Sequence, residues 1–188
     1  MIDSQLSPVA RLVQLRHQDR AIGGTLNREG ERLNDSREFR RTLGQFATGV
    51  TVITTKDSRG ERHGFTANSF TSVSLDPPLI LFCLSKNAGS FSVFEKAPYY
   101  AVNVLAGDQQ PISERFARTG GDKFTEGDWT EGNTGVPILS NALAYFECRK
   151  WSSCDGGDHV IFVGEVLSFA RKTGEPLVFH GGQYRNMA

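Results

Sequence analysis

Val50-Thr51-Val52-Ile53-Thr54-Thr55 alternates between two faces, Asp57-Ser58-Arg59-Gly60 follows as a cluster of turn residues, and a return strand leaves from about Glu61. A period of two interrupted by such a turn is the pattern of a β-hairpin, because successive strand side chains point to opposite faces. Upstream, Asp35 precedes Glu38 by three residues, and Phe39, Leu43, Phe46 and Ala47 share one face, so the spacing predicts a capped amphipathic helix. Downstream, Pro77 and Pro78 lead into Leu79-Ile80-Leu81-Phe82-Cys83-Leu84. That run suits a buried strand or a fragment of core helix, and the prolines favour the strand. Residues 99–105, 143–151, 159–169 and 177–179 supply further strand candidates, with short helices expected near 90–96 and 109–118.

Six or more strands, mostly short connections and few helices long enough for crossovers describe a mainly β chain with some α. The expected architecture is an antiparallel barrel decorated with helices, not a doubly wound parallel sheet. Residues 35–188 read as one domain. Residues 1–34 read as an appendage, in which Leu6, Val9, Leu12, Val13 and Leu15 alternate with Arg11, Arg16 and Arg20 before Gly23, Gly24 and Gly30. A short amphipathic helix followed by a flexible linker is expected there, with a dimer-contact arm as the alternative.

With 21 basic and 21 acidic residues in 188, the chain has no basic excess of the kind that binding to a phosphate backbone requires, which argues against nucleic acid as a partner. Cys83, Cys148 and Cys154 include no Cys-x-x-Cys, so neither a disulfide framework nor a zinc site is expected, and a reducing cytoplasm fits. No apolar run approaches a membrane span and no secretory signal opens the chain. Dinucleotide-binding, phosphate-loop and nucleophile-elbow motifs are missing, and His17, His63, His159 and His180 form no close histidine pair, so no metal site is expected.

Three segments remain where chemistry could reside. Ser85-Lys86-Asn87-Ala88-Gly89-Ser90 runs from the apolar strand into a predicted helix, where backbone N–H groups, a hydroxyl N-cap and an ammonium would together hold an anion. A plain capped turn with a solvated lysine is the competing reading. Thr66-Ala67-Asn68-Ser69-Phe70-Thr71-Ser72 is rich in small hydrogen-bonding groups that suit the polar edge of a flat heterocycle, or simply a β edge. Gly156-Gly157-Asp158 forms a tight turn that delivers His159 to the start of a strand near a barrel mouth. There it would donate a hydrogen bond to a substrate amide or carbonyl, or serve structure alone.

Five collinear blocks carry a family resemblance. They are Phe39-Arg40-x-x-Leu43-Gly44-x-Phe46-x-Thr48-Gly49-Val50-Thr51-Val52-Ile53-Thr54; Gly64-Phe65-Thr66-Ala67-Asn68-Ser69-Phe70-x-Ser72-Val73-Ser74-Leu75-x-Pro77-Pro78-Leu79; Val102-Asn103-Val104-Leu105; Arg115-Phe116; and Gly157-Asp158-His159. The chain resembles the short-chain flavin reductases, the reductase components of two-component flavin-dependent monooxygenases. The resemblance implies an FMN-binding split β-barrel, usually a homodimer, that oxidises NADH or NADPH and supplies reduced FMN or FAD to a monooxygenase partner. Carried over, Thr48, Gly49, Val50 and Thr51 and Thr66, Ala67, Asn68 and Ser69 would border the isoalloxazine and ribityl chain. Ser85, Lys86 and Ser90 match the flavin-phosphate loop, Arg115 and Phe116 a second flavin contact, and His159 the residue beside the nicotinamide. Tyr184 would close the pocket. A non-enzymatic electron carrier on the same barrel and a pyridoxamine-phosphate-oxidase-like FMN enzyme are the other functions open to this pattern.

Overall fold

Val50, the first residue of the period-two stretch, lies between two strands: its N–H donates to Leu177 O at 3.1 Å and its carbonyl accepts from Leu105 N–H at 2.9 Å. In the computed structural model, which describes residues 36–185 and Met187, the short β1 (Thr48–Gly49) precedes it and β2 (Thr51–Lys56) carries the rest of the stretch. The expected appendage 1–34 and the Asp35 cap lie outside the described residues. Helix α1 (Ser36–Leu43) forms as its spacing predicts but ends one residue before Gly44, so Phe46 and Ala47 lie beyond its last turn and not on its apolar face.

From Gly44 onward the chain is one compact unit. β2 turns back through Asp57–Gly60 into β3 (Arg62–Ala67), with Gly60 at φ +83°. Asn68, Ser69 and Phe70 make a corner, and Thr71 and Ser72, read from the sequence as loop, open the strand β4 (Thr71–Leu75). A two-residue turn, Asp76-Pro77, leads to β5 (Pro78–Ser85), where proline occupies the first strand position, one it tolerates. Then follow α2 (Phe91–Lys96), β6 (Tyr99–Val104), a single 3₁₀ turn, α3 (Gln110–Ala117), β7 (Trp129–Glu131) and β8 (Pro137–Leu139). The long hairpin β9 (Ala144–Gly156) and β10 (His159–Arg171) precedes β11 (Val178–His180) and β12 (Gln183–Arg185).

Seven strands form one antiparallel sheet in the order β3-β2-β6-β9-β10-β5-β4. Its edges, β3 and β4, are consecutive in sequence, so the sheet curls until they meet at the 68–70 corner without a closing ladder. This is a split barrel. Ser69 sits at the split: its Oγ accepts from Cys83 N–H at 3.0 Å and donates to Cys83 O at 3.3 Å, doing with a side chain what a strand would do with backbone. Residues from different parts of the sheet, among them Ile53, Phe82, Tyr100, Val102 and Phe162, share the interior with Phe94 of α2. Phe82 stacks on Phe162 with centroids 5.3 Å apart and meets Tyr100 edge-on at 5.0 Å. Such ring pairs add about 0.5–1.5 kcal/mol to the free energy of burial. A second core, with Val52, Leu105, Phe116, Leu139 and Leu177, fills the space under α3 and the small β1-β11-β12 sheet.

Tyr100 of β6 reaches over the intervening strand β9 to Gly164 of β10. Its hydroxyl is buried with no hydrogen-bond partner, and burial pushes the phenol well above its ordinary range. A Cβ at Gly164 would collide with that hydroxyl and its ring. Gly164→Ala should therefore destabilise the fold by about 1–3 kcal/mol in urea unfolding. Tyr100→Phe, which removes the nearest clashing atom and an unpaired polar group while leaving the ring edge in place, should recover part of that loss in the double variant. Equal loss with and without Tyr100→Phe would place the strain elsewhere.

Candidate active site

Antiparallel register places Ser85, the last residue of β5, opposite His159, the first residue of β10. The β9–β10 connection is a two-residue loop, Gly157-Asp158, with Gly157 at φ +85°. This is the glycine-first turn whose twist matches a hairpin. The loop that follows Ser85 holds this turn. Lys86 N–H donates to Asp158 O at 3.0 Å, and Lys86 Nζ donates to Gly157 O at 2.7 Å and pairs with Asp155 at 2.6 Å. Asp158 in turn holds His159 Nδ1 at 2.7 Å. That hydrogen bond, with the charge of the ring, lowers the Asp158 carboxyl below its ordinary value. The imidazole is thus oriented through Nδ1 while the side chain remains 43% exposed.

The strand-to-helix connection differs from its sequence reading in two respects. The short helix forms where expected, with Ser90 at its N-cap position, but Ser90 makes no side-chain cap bond. The ammonium of Lys86, expected to meet an anion, is committed to the β9–β10 turn.

A cleft of about 470 Å³ opens beside this loop, lined by 62–65 of β3, by Ala88, Gly89 and Ser90, and by 116–124. Gly64 is required there, since a Cβ would lie 2.7 Å from the Phe116 ring. Phe116 is buried and meets Phe124 edge-on at 5.0 Å, so it forms the floor of the cleft and is part of the core. Arg115 does not project into the cleft; it pairs with Glu126 and anchors the loop beyond α3. Three basic residues line the cleft, Arg62, Arg118 and Lys123, the last in a segment that periodicity leaves unpatterned. The Arg62 guanidinium lies over the Phe124 ring, and Lys123 is the one of the three whose cationic group is held by backbone carbonyls. Lys123 Nζ donates to Gly64 O at 3.3 Å and Phe116 O at 3.1 Å, and burial lowers its pKa.

The remaining residues singled out from the sequence form a second group around α3. Thr66 Oγ1 donates to Ser113 O at 2.6 Å, and the Ser113 hydroxyl lies 2.8 Å from Tyr184 Oη, so β3, α3 and β12 are tied through hydroxyls. Thr51 Oγ1 donates to Ala67 O at 2.8 Å across the β2–β3 ladder. Gly49 has open space around it and Asn68 is exposed. Thr48 Oγ1 is buried without a partner. The structure thus brings Ser90 and Phe116 to one cleft, Ser85 to His159, and Thr66 to Tyr184, while Lys86 and Arg115 act through the loops they anchor.

The family described as "Flavin reductase like domain" matches residues 43–188. FMN reductase (NADH) SmoA of Agrobacterium fabrum is 47% identical over 150 residues, covering 80% of this chain and 85% of that protein. The flavin-dependent monooxygenase reductase subunit HsaB of Rhodococcus jostii is 47% identical over 151 residues, covering 80% and 77%. The crystal structure of Streptomyces globisporus NADH:FAD oxidoreductase SgcE6 with NAD and FAD fragments superposes with a TM-score of 0.78 at 40% identity, covering 87% of this chain and 96% of that one.

Lys86→Met should cost less than about 1 kcal/mol of global stability, because the pair it breaks is exposed on both sides. It should nevertheless speed hydrogen exchange at Gly157, Asp158 and His159 selectively. Unchanged protection of those amides would show that the turn holds itself.

Proposed function

The chain belongs to the flavin reductase-like domain family, and from that membership we propose that it is an NAD(P)H-dependent flavin reductase that supplies reduced FMN or FAD to a separate monooxygenase. The observation that carries this reading is the family match over 43–188, which spans every strand of the barrel. A non-enzymatic carrier would need no second substrate beside the flavin, and a histidine oriented by its own carboxylate at the end of a strand favours the enzyme.

The residues present fit a flavin. Thr48 Oγ1 is a buried hydroxyl in want of a partner, Ser90 is not spent on capping, and Lys123 lines a cleft with only carbonyls around its ammonium. A flavin held by these residues would supply a two-electron acceptor for the hydride of a reduced nicotinamide. The chain's own task is to bind and orient. Lys123 supplies the positive charge for the flavin phosphate, and a charge-assisted contact of that kind contributes about 1.5–3 kcal/mol. Asp158 fixes His159 through Nδ1, which leaves Nε2 to hydrogen-bond the nicotinamide carboxamide. No side chain has to move a proton in the transfer itself, so the absence of a triad from the sequence is consistent with the reaction.

The assembly we infer is a homodimer, because Leu75, Leu167 and Phe169 are left exposed and a second copy of the chain would cover them. Sedimentation at twice 20.7 kDa supports that reading, and a fully active monomer overturns it. Among the described residues no helix is long and apolar enough to cross a membrane, and Cys83, Cys148 and Cys154 are free thiols. Both accord with work in the cytoplasm.

Two variants test the assignment of charge. Lys123→Met should weaken FMN binding roughly 10- to 100-fold while riboflavin, which lacks the phosphate, binds almost as before, and added salt should erode the wild-type preference. Lys86→Met should affect both flavins alike. His159→Ala should lower kcat/KM at limiting NADH or NADPH by about 1–3 kcal/mol with little change in flavin affinity. Parallel losses for FMN and riboflavin in Lys123→Met would remove that lysine from the phosphate site, and an unaltered kcat/KM in His159→Ala would make the histidine structural.

A further inference from the structure

The β2–β3 hairpin brings together three side chains that the proposed reaction does not use. Asp57, Glu61 and His63 each direct one donor atom to a common point, with all three atoms within 4.8 Å of one another. Glu61 and His63 are two residues apart on extended chain and so share a face, and Asp57 meets them across the turn. Arg62, which lies between them, points the other way, its guanidinium 4.8 Å from the Phe124 ring centroid.

Asp57 is fixed before any ligand arrives. Its Oδ1 accepts from Arg59 N–H and Glu61 N–H, both at 2.9 Å, which leaves Oδ2 aimed at His63 Nε2. The Oδ2···Nε2 separation is 3.4 Å. That is long for a charge-assisted hydrogen bond, which is about 2.7–2.9 Å. It matches the edge of a zinc coordination tetrahedron, about 3.4 Å for bonds of 2.0–2.2 Å. Both side chains are about three-quarters buried, so most of the cost of ordering and desolvating them is already met. The nearby cation Lys56 is committed to Glu131 and does not neutralise the cluster.

We propose that Asp57, Glu61 and His63 form a binding site for a borderline divalent cation of the zinc type, with solvent completing the coordination. One imidazole and two carboxylates suit zinc, cobalt or nickel better than calcium or magnesium, which favour all-oxygen shells. The sequence concealed the site because it contains no histidine pair; its spacing is Asp-x₃-Glu-x-His, which only the hairpin folds into one point. His63 also lines the cleft beside Lys123, so a bound cation would stiffen the hairpin that forms one wall of the cleft.

Equilibrium dialysis of the full chain against zinc, followed by metal analysis, tests this. The protein would carry Cys154→Ser, since that exposed thiol is a competing ligand. One equivalent should be retained, and cobalt in its place should give visible d–d bands without thiolate charge-transfer bands. Asp57→Asn keeps the acceptor for the Arg59 and Glu61 N–H groups but is a poor metal ligand. Asp57→Asn and His63→Gln should each lower affinity by at least about tenfold, as loss of even a supporting partner does. Zinc should also raise the melting temperature of the parent but not of His63→Gln. Failure to retain a stoichiometric cation, or equal retention in His63→Gln, overturns the site, and the second readout stands if Asp57→Asn fails to fold.

Discussion

One buried carboxamide decides where the walls of the cleft stand. Asn103 of β6 donates from Nδ2 to Val52 O at 3.0 Å and to Thr54 Oγ1 at 3.2 Å, and its Oδ1 accepts from Leu139 N–H at 2.8 Å. The Thr54 hydroxyl in turn donates a hydrogen bond to Pro137 O. Strand β8 is thereby stitched to the flank of the barrel by side chains where no continuous ladder joins them. Each of those groups would cost about 1–3 kcal/mol if left buried and unpaired, so Asn103 has no apolar substitute of the same effect. Because β7 pairs with β8, and Trp129 of β7 packs on Phe116 and Phe124, the segment bearing Lys123 takes its position from this seam.

The barrel was legible where one face of a strand is buried and the other is not, or where both are buried. β2, β5, β6 and β10 follow the predicted stretches closely, and the Gly157-Asp158 turn falls where its residues place it. β4 was missed because Thr71-Ser72-Val73-Ser74 is mostly exposed at the sheet edge and has no apolar face to betray it. β9 extends to Gly156, five residues past the predicted strand, because Ser152-Ser153-Cys154-Asp155 is held by pairing with β10 and not by burial. α1 stops at Leu43 because Gly44 follows, and glycine weakens a helix interior.

The site was legible as a set of segments and illegible as a set of roles. Three basic residues illustrate the reason. Lys86, Arg115 and Lys123 all stand near the region the sequence marks, and nothing local distinguishes an ammonium that binds a ligand from one that binds a turn. The distinction is made by residues far away in sequence: Asp155 and Gly157 for Lys86, Glu126 for Arg115, and carbonyls alone for Lys123. Among these three, only the last is left with a net charge to offer. Thr66 and Ser69 follow the same logic, since their hydroxyls are drawn into α3 and the barrel split by partners that no spacing rule names.

Transfer of a hydride between two bound rings depends on stacking distance and angle, so the chain must place two subsites relative to one another with little play. Under the proposed assignment, the 85–90 loop would meet that demand by belonging to both. Its first residue is registered against His159, its lysine clamps the turn behind that histidine, and its last residues line the cleft with Lys123. The loop is short, tied at Ser85 to a core strand and at Phe91 to a helix whose Phe94 is fully buried. A displacement of His159 and its turn would therefore have to move the Ala88–Ser90 wall of the cleft with it, and under the proposed assignment of the two subsites that coupling is what would hold nicotinamide and flavin at a fixed separation.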